Sequence, residues 1–323
     1  MAGSAYHRPA LLEESQRWLA LRPGLRVVDG TVGGGGHAEA ILQRTAPNGT
    51  LIGLDVDEDA LAAAAVRLRS FGGRVRLERA SFRHLAEVLR GFGIERVDGV
   101  LLDLGVSSRQ LDAPERGFRF SEETADVTSL DMRMDRRQPR TAARLLAEAS
   151  VDELASWFSR YGELRGSHRL ARAVAAARAR APLRTARDLL DVIEGARVGG
   201  GRRHHPATLV FQALRIAVND ELAALAEGLG ASVDALAPGG RLVVISYHSL
   251  EDRIVKATLR AEARGCVCPP RQPVCTCGRK PRLRVLTGRP VSAGERERRE
   301  NPRARSARLR AAERVALEST EAA

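Results

Sequence analysis

The chain has 323 residues, 44% of them hydrophobic, enough to bury a sizeable core in one large domain or two modest ones. Its formal charge is +12, and no stretch approaches the roughly 20 uncharged apolar residues that a membrane span needs. Charges recur from Arg8 through Glu14 and Arg17, so a secretory signal is excluded and a soluble, cytoplasmic protein with no membrane partner is expected.

The first hundred or so residues alternate helix and strand signals. Residues 10–21 read as a helix with Leu11, Leu12, Trp18 and Leu19 available for burial. After Pro23-Gly24, residues 25–29 read as a strand ending in Asp29. Gly33 to Gly36 then lead into a helical run from His37 to about Arg44. A second strand, 51–54, ends at Asp55, and a helix follows over 60–68. A third strand spans 74–78, a short helix runs from Phe82 to Gly91, and a fourth strand, 99–102, ends at Asp103. Continuous apolar strands separated by helices indicate a parallel sheet covered on both faces. The expected fold class is therefore α/β and Rossmann-like.

The alternation then stops, and the next strong strand begins only at Arg241. A crossover needs a few tens of residues at most, so something is inserted. From Thr141 to Val198 the insert reads as helical. Ser150 with Glu153 makes a capping box, and Leu154, Trp157, Phe158 and Tyr161 follow at core spacing. Gly199 to Gly201 mark the return to the first domain, and one long helix is expected from Thr208 to Leu236. After the fifth strand, 241–245, residues 283–286 and 308–315 can supply two more strands. Between Arg279 and Arg310 twelve basic residues face three acids, an electrostatic footprint for a polyanion.

Five places are candidates for chemistry. The loop from Asp29 to His37 lets backbone approach a ligand closely, and its Gly33-x-Gly35-x-x-Ala38 pattern suits either NAD or S-adenosylmethionine. Asp55 is placed to accept from ribose hydroxyls of either cofactor, or to cap the next helix. Asp103 tilts the balance, because an acid there lies beside the transferred methyl in amino-directed methyltransferases and a dehydrogenase has no need of it. Such a carboxylate can accept an N–H from a poorly nucleophilic, ring-conjugated amino group, or hold the amino-acid end of the cofactor. The run from Ser246 to Arg253 closes the fifth strand. Tyr247 or His248 can face a target base there, or the run can simply start a capped helix. All four cysteines fall in Cys266-Val-Cys268 and Cys275-Thr-Cys277. They can supply the four thiolates of a structural zinc, or stand as thiols stiffened by Pro269, Pro270 and Pro273.

Together these blocks resemble the MraW-type (RsmH) methyltransferases, which modify the N4 amino group of a cytosine in the decoding region of 16S ribosomal RNA. The similarity runs through His7-x-Pro9, Asp29-Gly30-Thr31, Gly35-Gly36-His37 and the stretch from Asp103 to Ser108. It continues through Gln110-Leu111-Asp112, Glu115 to Phe118, Asp131 to Asp135, Phe211 to Ile216, Ser246 to Arg253 and Asn301 to Ala307. Leu164 and Leu209 stand where the pattern would place an acid and a base.

The resemblance implies a class I methyltransferase core with an inserted all-helical domain, divided as 1–110, 111–203 and 204–323. It implies S-adenosylmethionine as cofactor, contacted by Gly35, Gly36, His37, Asp55, Phe82, Asp103 and Gln110, with Phe82 near the adenine or in plain core packing. The partner it implies is the small ribosomal subunit with its 16S RNA, a homodimer being an option. An amino methyltransferase on another RNA or on DNA, and a non-catalytic ribosome-assembly factor, are the competing readings.

Overall fold

The computed structural model describes residues 9–199, 205–266, 268, 269, 272–274 and 276–316. Its strands are β1 (Arg26–Asp29), β2 (Thr50–Asp55), β3 (Val75–Arg79), β4 (Val97–Asp103), β5 (Leu236–Ser246), β6 (Leu283–Val285), β7 (Val291–Ser292) and β8 (Arg308–Arg314). The helices before the insert are α1 (Leu12–Leu19), α2 (Gly36–Arg44), α3 (Glu58–Leu68) and α4 (Leu85–Gly91). Then come α5 (Ser108–Asp112), α6 (Ala142–Glu148), α7 (Val151–Arg160), α8 (Ser167–Arg178), α9 (Ala186–Ala196) and α10 (Pro206–Asn219). They are followed by α11 (Glu221–Ala235), α12 (Ser249–Ala263) and α13 (Glu295–Glu300).

Among the described residues the sheet runs β3-β2-β1-β4-β5-β8-β6, with β7 on β8. Strands β1 to β5 are parallel, and β8 pairs antiparallel with β5, β6 and β7. The order reverses between β1 and β4, the topological switch point outside which open α/β sheets bind ligands. The Rossmann-like α/β class read from the alternation is the one observed.

Side chains alternate along the strands, and each face has its own core. Val27, Leu101, Val243, Ile245 and Leu309 pack with Leu19 of α1, Ile41 and Leu42 of α2, and Leu68 of α3. On the other face Val28, Val100, Leu102, Leu242 and Val244 pack with Leu85 and Leu89 of α4. Leu229 and Val233 of α11 and Val255 and Leu259 of α12 complete that face. With both faces covered, the strands read as unbroken apolar runs.

The chain divides into two compact units, 1–105 with 222–323, and 106–221. The second unit is helical and has its own core around Leu154, Phe158, Leu170, Val174, Leu189 and Leu214. The Ser150–Glu153 capping box forms in both directions, and Trp157 and Tyr161 pack against that core. Leu164 is buried in it and Leu209 packs against it, which gives apolar side chains a reason to stand at these two positions.

The single helix expected from Thr208 to Leu236 is two. Asp220 takes φ +52° and separates α10 from α11; Asp tolerates this left-handed conformation better than most residues. Arg215 reaches past the break to Glu221 at 2.9 Å, and the Asn219 side chain bonds Met132 O and the Met134 N–H. Because α10 packs with the insert, the second junction follows α10 instead of falling in the glycine run before it. Strands β6 and β8 form where expected; the short β7 has no clear signal in the sequence. Among the described residues no helix is long and apolar enough to cross a membrane.

Candidate active site at the carboxyl ends of the strands

Asp29 ends β1 and is buried. Its Oδ1 accepts the Thr31 N–H at 3.2 Å, and its Oδ2 is buried with no hydrogen-bond partner among the described residues. The loop then turns against the sheet. A Cβ on Gly30 would lie 2.5 Å from Leu102 Cδ2, so only glycine lets the backbone pass this close. Gly35 caps α2 at φ +81°, and Gly36 and His37 form the first turn of that helix.

At the end of β2, Asp55 Oδ2 accepts the Gly33 N–H and Oδ1 accepts the Asp57 N–H, both at 2.9 Å. Asp57, not Asp55, caps α3. Asp55 therefore ties the glycine loop to β2 and retains acceptor capacity on each oxygen. Phe82 follows β3 and is partly buried. A Cβ on Gly228 of α11 would lie 2.2 Å from its ring, so the glycine makes room for it.

Asp103 ends β4 beside β1. Its backbone N–H donates to Thr31 Oγ1 at 2.6 Å, and its Oδ1 accepts from the Tyr247 hydroxyl at 2.8 Å. Its Oδ2 lies 3.5 Å from His37 Nε2, an ionic contact without hydrogen-bond alignment. The other imidazole nitrogen, Nδ1, lies 3.2 Å from Ser15 Oγ, and that hydroxyl donates to Leu12 O at 2.8 Å. Ser15 has one proton and spends it on Leu12, so His37 Nδ1–H must be the donor between them. Nε2, on the other side of the ring, faces the Asp103 carboxylate, which favours the charged form. Burial opposes that charge, but the Asp103 and Asp29 carboxylates outweigh it and raise the His37 pKa.

Three carboxylates thus cluster at the ends of β1, β2 and β4. Burial, with the neighbouring Asp103 and Asp55 charges adding to it, pushes Asp29 up to about 7, and burial pushes Asp55 up to about 6. Burial and the Asp103 charge hold the Tyr247 hydroxyl protonated, well above its ordinary range. This field suits a cation and opposes a pyrophosphate.

Tyr247 and His248 part company. The Tyr247 hydroxyl turns to Asp103, while His248 caps α12, its Nδ1 accepting the Glu251 N–H at 3.3 Å. Glu251 is buried and accepts the N–H groups of Tyr247 at 2.8 Å and His248 at 3.3 Å, and lies 3.1 Å from His248 Nε2. The helix start weighed for this run is what forms. Gln110 belongs to the helical unit, where its Oε1 accepts the Ser107 N–H at 2.8 Å in the capping box that opens α5.

Ser15 escapes a motif search, whereas Thr31 and Glu251 lie inside motif blocks that gave them no individual role. Ser15 carries a faint signal, a polar residue midway between Leu11 and Leu19 on the buried stripe of α1.

Outside this cluster, Cys266, Cys268 and Cys277 come together; Cys275 lies outside the described residues. The arginine-rich segment is no loose tail but carries β6, β7, α13 and β8. Several of its charges are matched: Arg310 and Arg308 by Asp252, Arg282 by Glu262, Arg284 by Glu313.

A largely parallel sheet with a glycine loop at its switch point, and three acids at the strand ends, defines a Rossmann-like core with an acidic ligand-binding end. The chain belongs to the MraW methylase family, whose pattern matches residues 4–315. It is 52% identical over 312 residues to the ribosomal RNA small subunit methyltransferase H of Pelobacter propionicus, covering 96% of this chain and 98% of that one. To the ribosomal RNA small subunit methyltransferase H of Heliobacterium modesticaldum it is 50% identical over 313 residues, covering 96% and 99%. Its fold is accordingly a class I methyltransferase core carrying a helical insert.

Proposed function

We propose that this protein transfers a methyl group from S-adenosylmethionine to the N4 amino group of a cytosine in 16S ribosomal RNA. The observation that carries the reading is Asp103, a carboxylate at the switch point whose oxygens face Tyr247 and His37. The names of the relatives support the ribosomal RNA substrate.

The residues fit the cofactor. Asp29 offers a buried oxygen with no partner among the described residues, the kind of acceptor that a cationic ligand group satisfies. When bound, S-adenosylmethionine supplies an electrophilic methyl on a sulfonium. Asp29 and Asp103 provide negative charge for its cationic groups, Asp55 accepts from the ribose hydroxyls, and Gly35, Gly36 and His37 line the approach. Phe82 lies against the adenine. A dinucleotide would set its pyrophosphate among the three carboxylates, which disfavours the NAD reading.

A cytosine amino nitrogen is a poor nucleophile because its lone pair is delocalised into the ring. Asp103 accepts one amino N–H and favours the tetrahedral nitrogen of the in-line transition state, while Tyr247 fixes the rotamer of the carboxylate. Reaching the pocket requires the cytosine to leave its stack. The helical unit and the unmatched arginines of the 279–310 segment hold the RNA, mostly through phosphates.

Transfer of labelled methyl from S-adenosylmethionine to purified small subunits, followed by nucleoside analysis, tests this. Label in N4-methylcytidine is expected. Label in another nucleoside, or none despite demonstrated cofactor binding, overturns the reading.

A further inference from the structure

Between α12 and β6, residues 264–282, the described residues form no helix or strand and none of them is buried. Connections beyond about 12–15 residues with no structure of their own are uncommon in compact domains and usually mark a function or a linker. A segment with no apolar core gains order from a crosslink or a metal. The neck is closed: the Arg282 N–H donates to Glu262 O at 2.8 Å, and Arg279 Nη2 donates to Ala261 O at 2.9 Å. Above the neck no apolar packing remains among the described residues to hold the chain.

Three thiols gather there. The Sγ atoms of Cys266, Cys268 and Cys277 all lie within 4.8 Å of one another, and those of Cys266 and Cys277 are 3.8 Å apart. A disulfide requires about 2.05 Å. A tetrahedron with zinc–sulfur bonds of about 2.3 Å has sulfur–sulfur edges of about 3.8 Å. The Cys268 N–H also points at Cys266 Sγ, 3.3 Å away, a contact that stabilises a thiolate. One sulfur pair at the edge length of a metal tetrahedron with a third thiol beside it, and a long connection without a buried side chain among its described residues, are two independent observations with one explanation.

We propose that Cys266, Cys268 and Cys277, with one further donor, hold a single structural zinc ion that staples the connection between α12 and β6. Each ligating thiol gives up its proton to solvent as the ion binds, so uptake is proton-linked and weakens in acid. The ion takes no part in methyl transfer. It fixes the presentation of a strongly basic stretch, Arg264 to Arg282, in which Arg264, Arg279 and Lys280 are exposed.

The test uses the full chain purified under reducing conditions without added chelator. Close to one zinc per chain is expected, with Cys266→Ser and Cys277→Ser each lowering the content at least tenfold. A strong thiol chelator should speed tryptic cleavage within residues 264–282 at least tenfold, and zinc alone should restore protection. The cysteines are not part of the sheet cores, so both variants should keep the parent's melting of secondary structure. Three results would overturn the proposal: zinc content indifferent to the substitutions, added zinc binding no tighter than micromolar, or a Cys266–Cys277 disulfide in freshly purified protein. None of these readouts involves methyl transfer, so the zinc site stands or falls apart from the proposed reaction.

Discussion

The Tyr247 hydroxyl donates to Asp103 Oδ1 across 2.8 Å and so joins the carboxyl end of β5 to that of β4. The Tyr247 side chain is locked to the carboxylate, which makes it a positioning group before it is anything else. Tyr247→Phe removes one hydrogen bond and leaves the ring. We expect kcat to fall about ten- to a hundredfold with little change in cofactor affinity, and Asp103→Asn to fall further, by the hundred- to thousandfold typical of removing a preorganised group. Single-turnover methyl transfer measured beside S-adenosylhomocysteine binding separates the two effects. Normal turnover in Tyr247→Phe would remove this contact from the mechanism.

The raised carboxyls make stability depend on pH in a definite direction. Asp29, near 7, and Asp55, near 6, keep protons in the folded ligand-free chain that the unfolded chain releases above about pH 4. Their stabilising contribution is full below pH 4 and is lost as pH rises to 7. Asp29→Asn has no such proton to lose, so its melting temperature should gain on the parent by several degrees between pH 5 and pH 8. A gap that stays constant over that interval would contradict the burial argument. Binding of a cationic cofactor should run the other way, strengthening over the same interval as the carboxyls ionise.

Asp252 of α12 and Arg310 of β8 form a buried two-pronged ion pair, Nε to Oδ1 at 2.7 Å and Nη2 to Oδ2 at 3.0 Å. Removing Arg310 leaves the Asp252 carboxylate with the longer 3.6 Å contact to Arg308. Arg310→Ala should destabilise the fold by about 3–5 kcal/mol, whereas replacing both residues with apolar ones of similar size should cost much less. Urea denaturation of the single and double variants is the check, and equal losses in the two would be the unexpected outcome.

Gly228 leaves no space beside Phe82 for even a methyl group. Gly228→Ala must displace the ring or the helix, at about 1–3 kcal/mol of stability. If Phe82 lies against the adenine, S-adenosylhomocysteine affinity should fall in Gly228→Ala and in Phe82→Ala alike. Calorimetric titration that finds both unaffected would leave Phe82 a packing residue.

The strand-terminal acids were legible because an apolar run ending in Asp, followed by glycine or a helix start, is a local pattern, and Asp29, Asp55 and Asp103 each satisfy it. His37 was legible from its motif, but its link to Ser15 was not, since that contact depends on how α1 lies against α2. The Asp220 break hides in sequence for a different reason. Apolar spacing persists on both sides of it, and only a backbone angle reveals two helices. The arginine segment misleads by composition, because a count of charges cannot tell which are already opposed by Asp252, Glu262 or Glu313.

Strand β8 follows β5 and β6 in the chain yet lies between them in the sheet. During synthesis the first five strands can associate as they emerge, but β5 keeps an open edge until residues 308–314 arrive to cover it. Arg310 arrives on the same strand, so Asp252 waits without its counter-charge for the same interval. The nascent protein therefore spends that time with a β-strand edge and a lone carboxylate exposed, and its assembly closes with the same stroke that neutralises both.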